Sequence, residues 1–475
     1  MRRRTVDARQ VRHPVSVGMV VVLLAAPWVA NAAGVAVLEQ SARLTGTAYS
    51  GTAALAEDAS MAFYNPAGLT RLKGGSLVLT GTVIDADIDF TASQATTWGQ
   101  PVTGPNGSLS ASGGDSGALP TFHIAQRLAE RWVGYLAVTS PIDVVTDYPD
   151  DGVTRYIGTL SQLKTININP AVAWEPIDDL SFGAGFNAQY MSGKFNQKFA
   201  IPTIPYGSIF GRELGDINAL LEADDWAFGW NCGILWEIDP SARLGVGYRS
   251  AIHHTLTGDG KLLLPAVPLV LPDGARIPQH TRGGFTSPQS VILSGVWAPF
   301  AWLQLLADAQ WTNWSAFEQL SLSFSYPQDV KQKLGPLAGL LPTRDSIYEG
   351  FRDAWRGTIG AQVFLDDRVT LRFGSGFDQS PVYDGNRTVR LPDGNRVLLS
   401  LGFGYRFFEQ TFVDFGYTHY FFPDGTVNET NQTLDASNIQ GTFETRGDVF
   451  GLQITHNWDR VPWEGLPFIS GGSGS

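Results

Sequence analysis

Apolar and small or polar residues alternate along most of this chain with a period of two. Val397, Leu399, Leu401, Phe403, Tyr405 and Phe407 share one face of a strand, and Ser400, Gly402, Gly404 and Arg406 take the other. Leu244, Val246 and Tyr248 alternate in the same way with Arg243, Gly245, Gly247 and Arg249. So do Phe450, Leu452 and Ile454 with Gly451, Gln453 and Thr455. Extended along the sequence, the pattern predicts strands at 75–90, 119–127, 131–141, 164–175, 178–193, 224–237 and 241–257. A second set follows at 287–298, 302–313, 351–365, 368–379, 396–407, 410–422 and 443–458.

The connections alternate in length. Brief turns such as Ile238-Asp239-Pro240 separate long loops at 91–118, 142–163, 194–223, 258–286, 325–350, 380–395 and 423–442. In lipid every backbone polar group must be bonded internally, which a closed barrel achieves. The apolar face then points outward, and Gly, Ser, Asn and Arg line the lumen. An even strand number with short turns at one end and long loops at the other is the pattern of an outer-membrane barrel. The 14 Trp and 14 Tyr suffice for two interfacial girdles. A soluble sandwich would need two packed sheets with matching topology, and a propeller needs a blade-length repeat that the sequence lacks. The predicted fold is all-β: a fourteen-stranded antiparallel transmembrane β-barrel.

The first residues give the compartment. Arg2, Arg3, Arg4, Arg9 and Arg12 precede an apolar run from Val15 to Val29 that ends in Ala30-Asn31-Ala32, so residues 1–32 are expected to be a secretory signal peptide. The run is too short for a spanning helix and contains Pro27. Five arginines and Asp7 leave with it, which takes the formal net charge from −12 to −16 and argues against nucleic acid as a partner. The single cysteine, Cys232, excludes an intrachain disulfide framework. No linker divides the rest, so one architecture is expected: 33–74 ahead of the first strand, the barrel over 75–458 and a tail over 459–475.

Fourteen strands enclose a lumen too wide for side chains to fill. The stretch 33–74 is rich in Gly, Ala, Ser, Thr and turn formers and suits a plug packed on a polar wall; a periplasmic tail is the alternative reading. Ala33, Gly34, Ala48, Tyr49, Ser50, Gly51, Asp58, Ala59, Asn65, Pro66 and Ala67 carry the signals "AG", "AYSG", "DA" and "NPA". Here the chain resembles the outer-membrane long-chain fatty acid and aromatic hydrocarbon transporter family. Val35 replaces that family's aromatic, and Glu57 stands where an Asp is usual. The likeness continues through "DYPDDGVTRY", "KTININPAVAW", "DAQWTNWSAFEQL", "RDAWRGTIGAQ" and "LPDGNRVLLSLGFGYRF".

The resemblance implies passive uptake of hydrophobic molecules, with an N-terminal hatch blocking a straight path and a gap in the wall releasing substrate sideways. Its hatch residues would include Tyr49, Gly51, Asp58, Asn65, Pro66 and Ala67. The family's gap comes from a kinked third strand. The third strand here carries Gly134 and ends at Pro141, although Pro141 also suits the start of a loop.

Two outer loops are unusually greasy. Phe199, Ile201, Ile204, Tyr206, Ile209 and Phe210 lie in one, and Leu262, Leu263, Leu264, Val267, Leu269 and Val270 in the other. They suit either capture of substrate or packing on each other; the resemblance implies capture. Arg155 and Lys198 are candidates for contacts to a carboxylate. Expected partners are a hydrophobic small molecule, outer-membrane lipid and lipopolysaccharide, and the barrel assembly machinery. A monomer is expected in the outer membrane.

Other chemistry is weakly signalled. His253 and His254 are adjacent on a strand and so face opposite ways, which argues against a metal pair. The histidines show no pairing with a nucleophile, so neither catalysis nor a cofactor is predicted. A general diffusion porin or a structural outer-membrane barrel is the alternative. Barrels of this kind usually end on an aromatic residue, whereas this chain runs on past Trp458; Trp458 or Phe468 would then serve internally.

Overall fold

A computed structural model describes residues 37–200, 216–265, 275–317, 319–334, 343–348, 350–431 and 437–459. The expected signal peptide and nearly all of the tail lie outside these residues. The strand segments form one antiparallel sheet that closes on itself as a fourteen-stranded barrel. Eight strands run unbroken: Gly75–Thr97, Ser116–Ala129, Leu160–Ile177, Leu180–Phe199, Ile217–Asp239, Val369–Asp378, Arg396–Phe408 and Ser437–Trp458. Six are interrupted. The third is Trp132–Thr139 then Asp143–Asp147, the seventh Ala242–Arg249 then Ile252–Leu264, and the eighth Ala275–Ser287 then Ser290–Phe300. The ninth is Leu303–Thr312 then Gln319–Ser325, the tenth Arg344–Tyr348 then Ala354–Phe364, and the thirteenth Thr411–Phe421 then Gly425–Asn431. The first and last strands seal the barrel from Gly75↔Trp458 to Thr96↔Asn438. Trp458 ends the last strand, and its indole Nε1 donates to Gln126 Oε1 at 2.8 Å.

The fourteen positions match the alternation, but many ends do not. Leu262, Leu263 and Leu264 were expected in a loop and instead sit on the seventh strand, paired with Ile277, Arg276 and Ala275. The eighth strand begins at Ala275 rather than near 287. Pro278, Gly283, Gly284 and Pro288 read locally as turn formers there, and cross-strand pairing overrides them.

The wall is apolar outside. Val397, Leu399, Leu401, Phe403 and Phe407 are exposed, while Leu398 and Ser400 between them are buried. Trp132 stacks on Trp174, and Phe300 on Trp302, beside the short turns. Trp226 and Trp236 share the sixth strand ten positions apart. At about 3.4 Å per residue and about 45° of tilt, that separates them by about 24 Å across the bilayer, close to the height of an outer-membrane apolar band.

Candidate functional site

Residues 37–74 lie within the barrel, and nearly all of them are buried. Local chemistry shapes this segment. Asp58 caps the 3-10 turn Ala59–Phe63, with Oδ1 accepting from the Ser60 amide. Asn65 caps Pro66–Arg71, where proline at the first helical position has no amide to leave unpaired. Its Oδ1 accepts from the Ala67 amide, and its Nδ2 donates to the carbonyls of Ala53 at 2.7 Å and Ile234 at 2.9 Å. One asparagine thus closes a turn, ties two parts of the segment together and fixes both to the sixth strand.

The rest of the segment is held on several sides. The Gly51 and Thr52 amides donate to the Asp308 carboxylate at 2.7 and 3.1 Å, and Gly51 has a φ of 76° that favours glycine. The Ala53 amide donates to Ser294 Oγ. Tyr49 is fully buried and donates from its hydroxyl to Glu39, as does Tyr420 of the thirteenth strand. Arg43 bridges Glu57 at 2.9 Å, Asp58 at 3.4 Å and Asp414 at 2.9 Å, and Arg372 meets Asp414 from the other side. Gln453 Nε2 donates to Asp58 Oδ2. The pairs of Asp58 and Asp414 with these arginines are dry, so removing one partner would strand the other.

Glycines in the wall let the segment's backbone come close. A Cβ at Gly374 would lie 2.1 Å from the Thr47 carbonyl carbon, one at Gly416 2.1 Å from the Ala42 oxygen, and one at Gly245 2.0 Å from the Ala53 oxygen. Gly183 and Gly247 face Ala67 and Tyr64 in the same manner.

The wall is incomplete on one side. Pairing of the second and third strands ends at Phe122↔Val138, and beyond it Ser116–Thr121 pair with the first strand. After Thr139 the third strand bends at Ser140, Pro141 and Ile142 before resuming at Asp143. Pro120 and Pro141 flank the break and have no amide to donate. Thr165 stabilises the bend, its Oγ1 accepting from the Ile142 amide and donating to the Ile142 carbonyl. The start of the enclosed segment lies against this opening. Gln40 Nε2 donates to the Ser140 carbonyl at 2.9 Å, Thr121 Oγ1 donates to the Gln40 carbonyl, and the Val37 amide donates to the Pro141 carbonyl. Gly134, in contrast, is paired on both sides within the regular ladder.

A mostly apolar cavity runs from this break into the lumen, lined by Leu38, Phe63, Ile142, Ile252, Ile292 and Trp314. Arg249 sits at its edge with its guanidinium over the Phe63 ring, donating to Asn187 Oδ1 and the Phe63 carbonyl. Among the described residues no group of three or more His, Cys, Asp or Glu is placed to hold a metal ion. His254 is buried against Gln189, whereas His253 is exposed.

The family model described as outer membrane protein transport protein (OMPP1/FadL/TodX) matches residues 23–458. The chain belongs to that family. It is similar to the long-chain fatty acid transport protein of Escherichia coli K12, 29% identical over 444 residues covering 87% of this chain and 93% of the relative. It is 28% identical over 445 residues to the putative outer membrane protein NMB0088 of Neisseria meningitidis, covering 88% and 93%. Among solved structures, a Pseudomonas aeruginosa FadL homologue overlays with a TM-score of 0.76 at 24% identity, covering 90% of this chain and all of that one. The Pseudomonas putida toluene transporter TodX gives 0.64 at 14%, covering 89% and 99%. As a member of this OMPP1/FadL/TodX family the protein resides in the outer membrane.

Within this OMPP1/FadL/TodX barrel the greasy outer residues partly converge. Leu262 is buried beside Ala219, Ile277 and Tyr326, with Phe199 and Leu264 packed on the cluster and Leu263 half-buried next to it. Ile201, Ile204, Tyr206, Ile209, Phe210, Val267, Leu269 and Val270 lie outside the described residues. Arg155 is occupied at the rim: Nη1 donates to the carbonyls of Thr103 and Gly152, and the guanidinium lies over Tyr156. The Lys198 amide donates to the Arg155 carbonyl, so the two residues adjoin at the long-loop end, away from the cavity beside Pro141.

One outer loop, expected at 380–395, was given no role from the sequence. The loop 379–395 folds back over the mouth, where Arg390 donates to Ser161 and Gln197 and the Val389 carbonyl accepts from the Tyr148 hydroxyl. The Val389 amide donates to Glu429. Its sequence, "DGNRTVRLPDGNR", reads as a solvated turn-rich loop. Only the loop's two arginines, Arg387 and Arg390, offered a signal.

Proposed function

We propose that this barrel is a passive outer-membrane channel for hydrophobic molecules, long-chain fatty acids or aromatic hydrocarbons, with 37–74 as its hatch and the break between the second and third strands as a lateral exit. The observation that carries this reading is the apolar cavity that begins beside the enclosed segment and runs to Pro141 at the interrupted ladder. A hydrophobic solute follows a greasy path and gains nothing from a water-filled one, and a wall opening delivers it to the apolar phase it prefers. Family membership supports the same reading, since relatives bear the names of long-chain fatty acid and toluene transporters. No catalytic step is assigned to the chain. The cluster at Leu262 and Phe199 would act as the outer capture surface. Lipopolysaccharide would surround the rim, the barrel assembly machinery would insert the chain, and a monomer would suffice for transport.

The test is uptake of labelled oleate and labelled toluene by cells that lack their own transporter and express this chain. Entry of either faster than in empty cells is expected; no acceleration of either would sink the reading in favour of a porin or structural barrel. Asn65→Ala is expected to slow uptake severalfold. It removes a cap worth about 1 kcal/mol and two hydrogen bonds worth about 1 kcal/mol each, loosening the hatch but not the strands. Heat-modifiable mobility on gels should stay normal. Unchanged uptake by the folded variant would show that the Asn65 contacts do not hold a working hatch.

A further inference from the structure

The sixth and seventh strands separate near the outer end of the apolar band. Their pairing ends at Asn231↔Arg249 and resumes at Asp224↔Thr257, which leaves 225–230 facing 250–256 outside the ladder. The seventh strand carries one extra residue there. A bulge ordinarily leaves only that residue unpaired, whereas this interruption runs over several residues on both strands. Side chains bridge its ends. At one end the Ser250 amide donates to the Trp230 carbonyl and the Trp230 amide to Ser250 Oγ, each at 2.9 Å. At the other the Asp225 carboxylate accepts from the Thr255 amide at 2.9 Å and lies 3.5 Å from His254 Nδ1. Between these bridges the wall is Ile252 set against Gly229, where a Cβ would lie 2.6 Å from Ile252 Cγ1.

Both sides of this thin place are largely apolar. Ile252, itself buried, lines the cavity that also reaches Pro141. Outside, Trp226, Phe228 and Trp230 are each at least half exposed. Trp230 packs on Tyr248 across the intact ladder, but Trp226 and Phe228 turn to the fifth strand and pack on Tyr190 and Phe186. Backbone outside a ladder persists at membrane depth where it lines a cavity or is covered by protein. Other interruptions are covered: at those of the ninth and tenth strands Phe317 packs on Phe285 at 4.8 Å and on Phe351 at 5.3 Å, and Asp353 accepts from Trp311, Asn313 and Ser315. Here the cover is one aliphatic side chain.

We propose that the interruption between the sixth and seventh strands is a second lateral opening, gated by Ile252, through which a hydrophobic molecule in the cavity passes to the outer leaflet. The inference rests on the channel reading above and adds a route to it. Gly229 puts no side chain across the opening from the sixth strand, so rotation of Ile252 is the motion required. The bridges at Ser250 and Asp225 hold the two edges while the gate moves, and the ladder on either side stays closed.

The experiment measures uptake of labelled toluene and labelled oleate by cells that lack their own transporter, with the first break locked by an oxidised Thr121→Cys, Thr139→Cys pair in a Cys232→Ala chain. The locked protein is expected to retain about a tenth of the unlocked rate. Ile252→Ala should raise that residual rate about threefold or more, because the lost side-chain volume leaves a gap beside Gly229. Gly229→Leu, which overfills the same space, should lower it about threefold or more. Ion conductance in planar bilayers should match that of the locked parent, which separates a side opening from a leaking lumen, and heat-modifiable mobility identifies folded variants. A residual rate that neither substitution moves in folded protein overturns the proposal, as does a gain in Ile252→Ala matched by a rise in conductance. If the unlocked chain admits neither solute, the channel reading fails with it.

Discussion

The double variant Gly374→Leu, Gly416→Leu is expected to turn a nearly closed barrel into an ion-conducting one. At both positions the segment 37–74 approaches the wall more closely than a Cβ permits: one added there would fall 2.1 Å from Thr47 and 2.1 Å from Ala42. The atoms met are backbone, which cannot rotate away as a side-chain tip could. Both glycines belong to regular strands, paired as Gly374↔Ser400 and Gly402↔Gly416, so leucine there leaves the ladder intact and displaces what rests on it. A lumen of fourteen strands is wide once emptied. Conductance in planar bilayers should rise about tenfold or more over wild type, in line with a channel whose width alone sets the flow. Gly357→Leu is the control, because a Cβ there meets nothing within 4 Å. A folded double variant with wild-type conductance would mean that the segment does not block the lumen.

The second large effect is expected at the interrupted wall. Thr121 and Thr139 are the next opposed positions beyond the last paired residues, Phe122 and Val138, and both are buried toward the lumen. In a Cys232→Ala background, Thr121→Cys with Thr139→Cys places two thiols where a continuing ladder would hold them about 5 Å apart between Cα atoms. Oxidation should draw the edges together and slow uptake of the hydrophobic substrate about tenfold, a barrier increase of about 1.4 kcal/mol. Reductant should restore it in the same sample, which separates closure from misfolding. If the oxidised protein, with the bond verified by mass spectrometry, transports as fast as the reduced one, the exit is elsewhere.

Much of this architecture follows from local chemistry. A residue two positions from an outward Leu401 must also face outward, so Leu399 and Phe403 are placed by the backbone's pleat alone. The turn at Asn65-Pro66 likewise needs only a capping side chain and a residue with fixed φ. Strand ends were less legible: Leu262 to Leu264 precede Pro265 and resemble loop, yet pairing with Ala275 to Ile277 decides their state. Pro141 could be singled out, whereas Pro120 lay inside an expected strand and drew no notice. Only the registers on both sides show that they flank one break.

The candidate site was legible only in part for the same reason. Tyr49, Gly51, Asp58 and Asn65 could be singled out through the family resemblance, and the structure brings all four into contacts within the segment or with the wall. Arg155 and Lys198 were chosen for their charge, and the fold leaves them at the rim.

The sequence by itself determined the strand periodicity, the number of strands, which face meets lipid and the turns of the enclosed segment, because each depends on neighbours a few residues away. The tertiary structure decided the rest. Whether an arginine meets carboxylates, as Arg43 meets Asp58 and Asp414, or none within ion-pair distance among the described residues, as Arg356, depends on residues brought together by closure of the barrel. Likewise a glycine becomes a docking point only when a distant stretch of backbone is pressed against it, and no pattern along one chain records that contact.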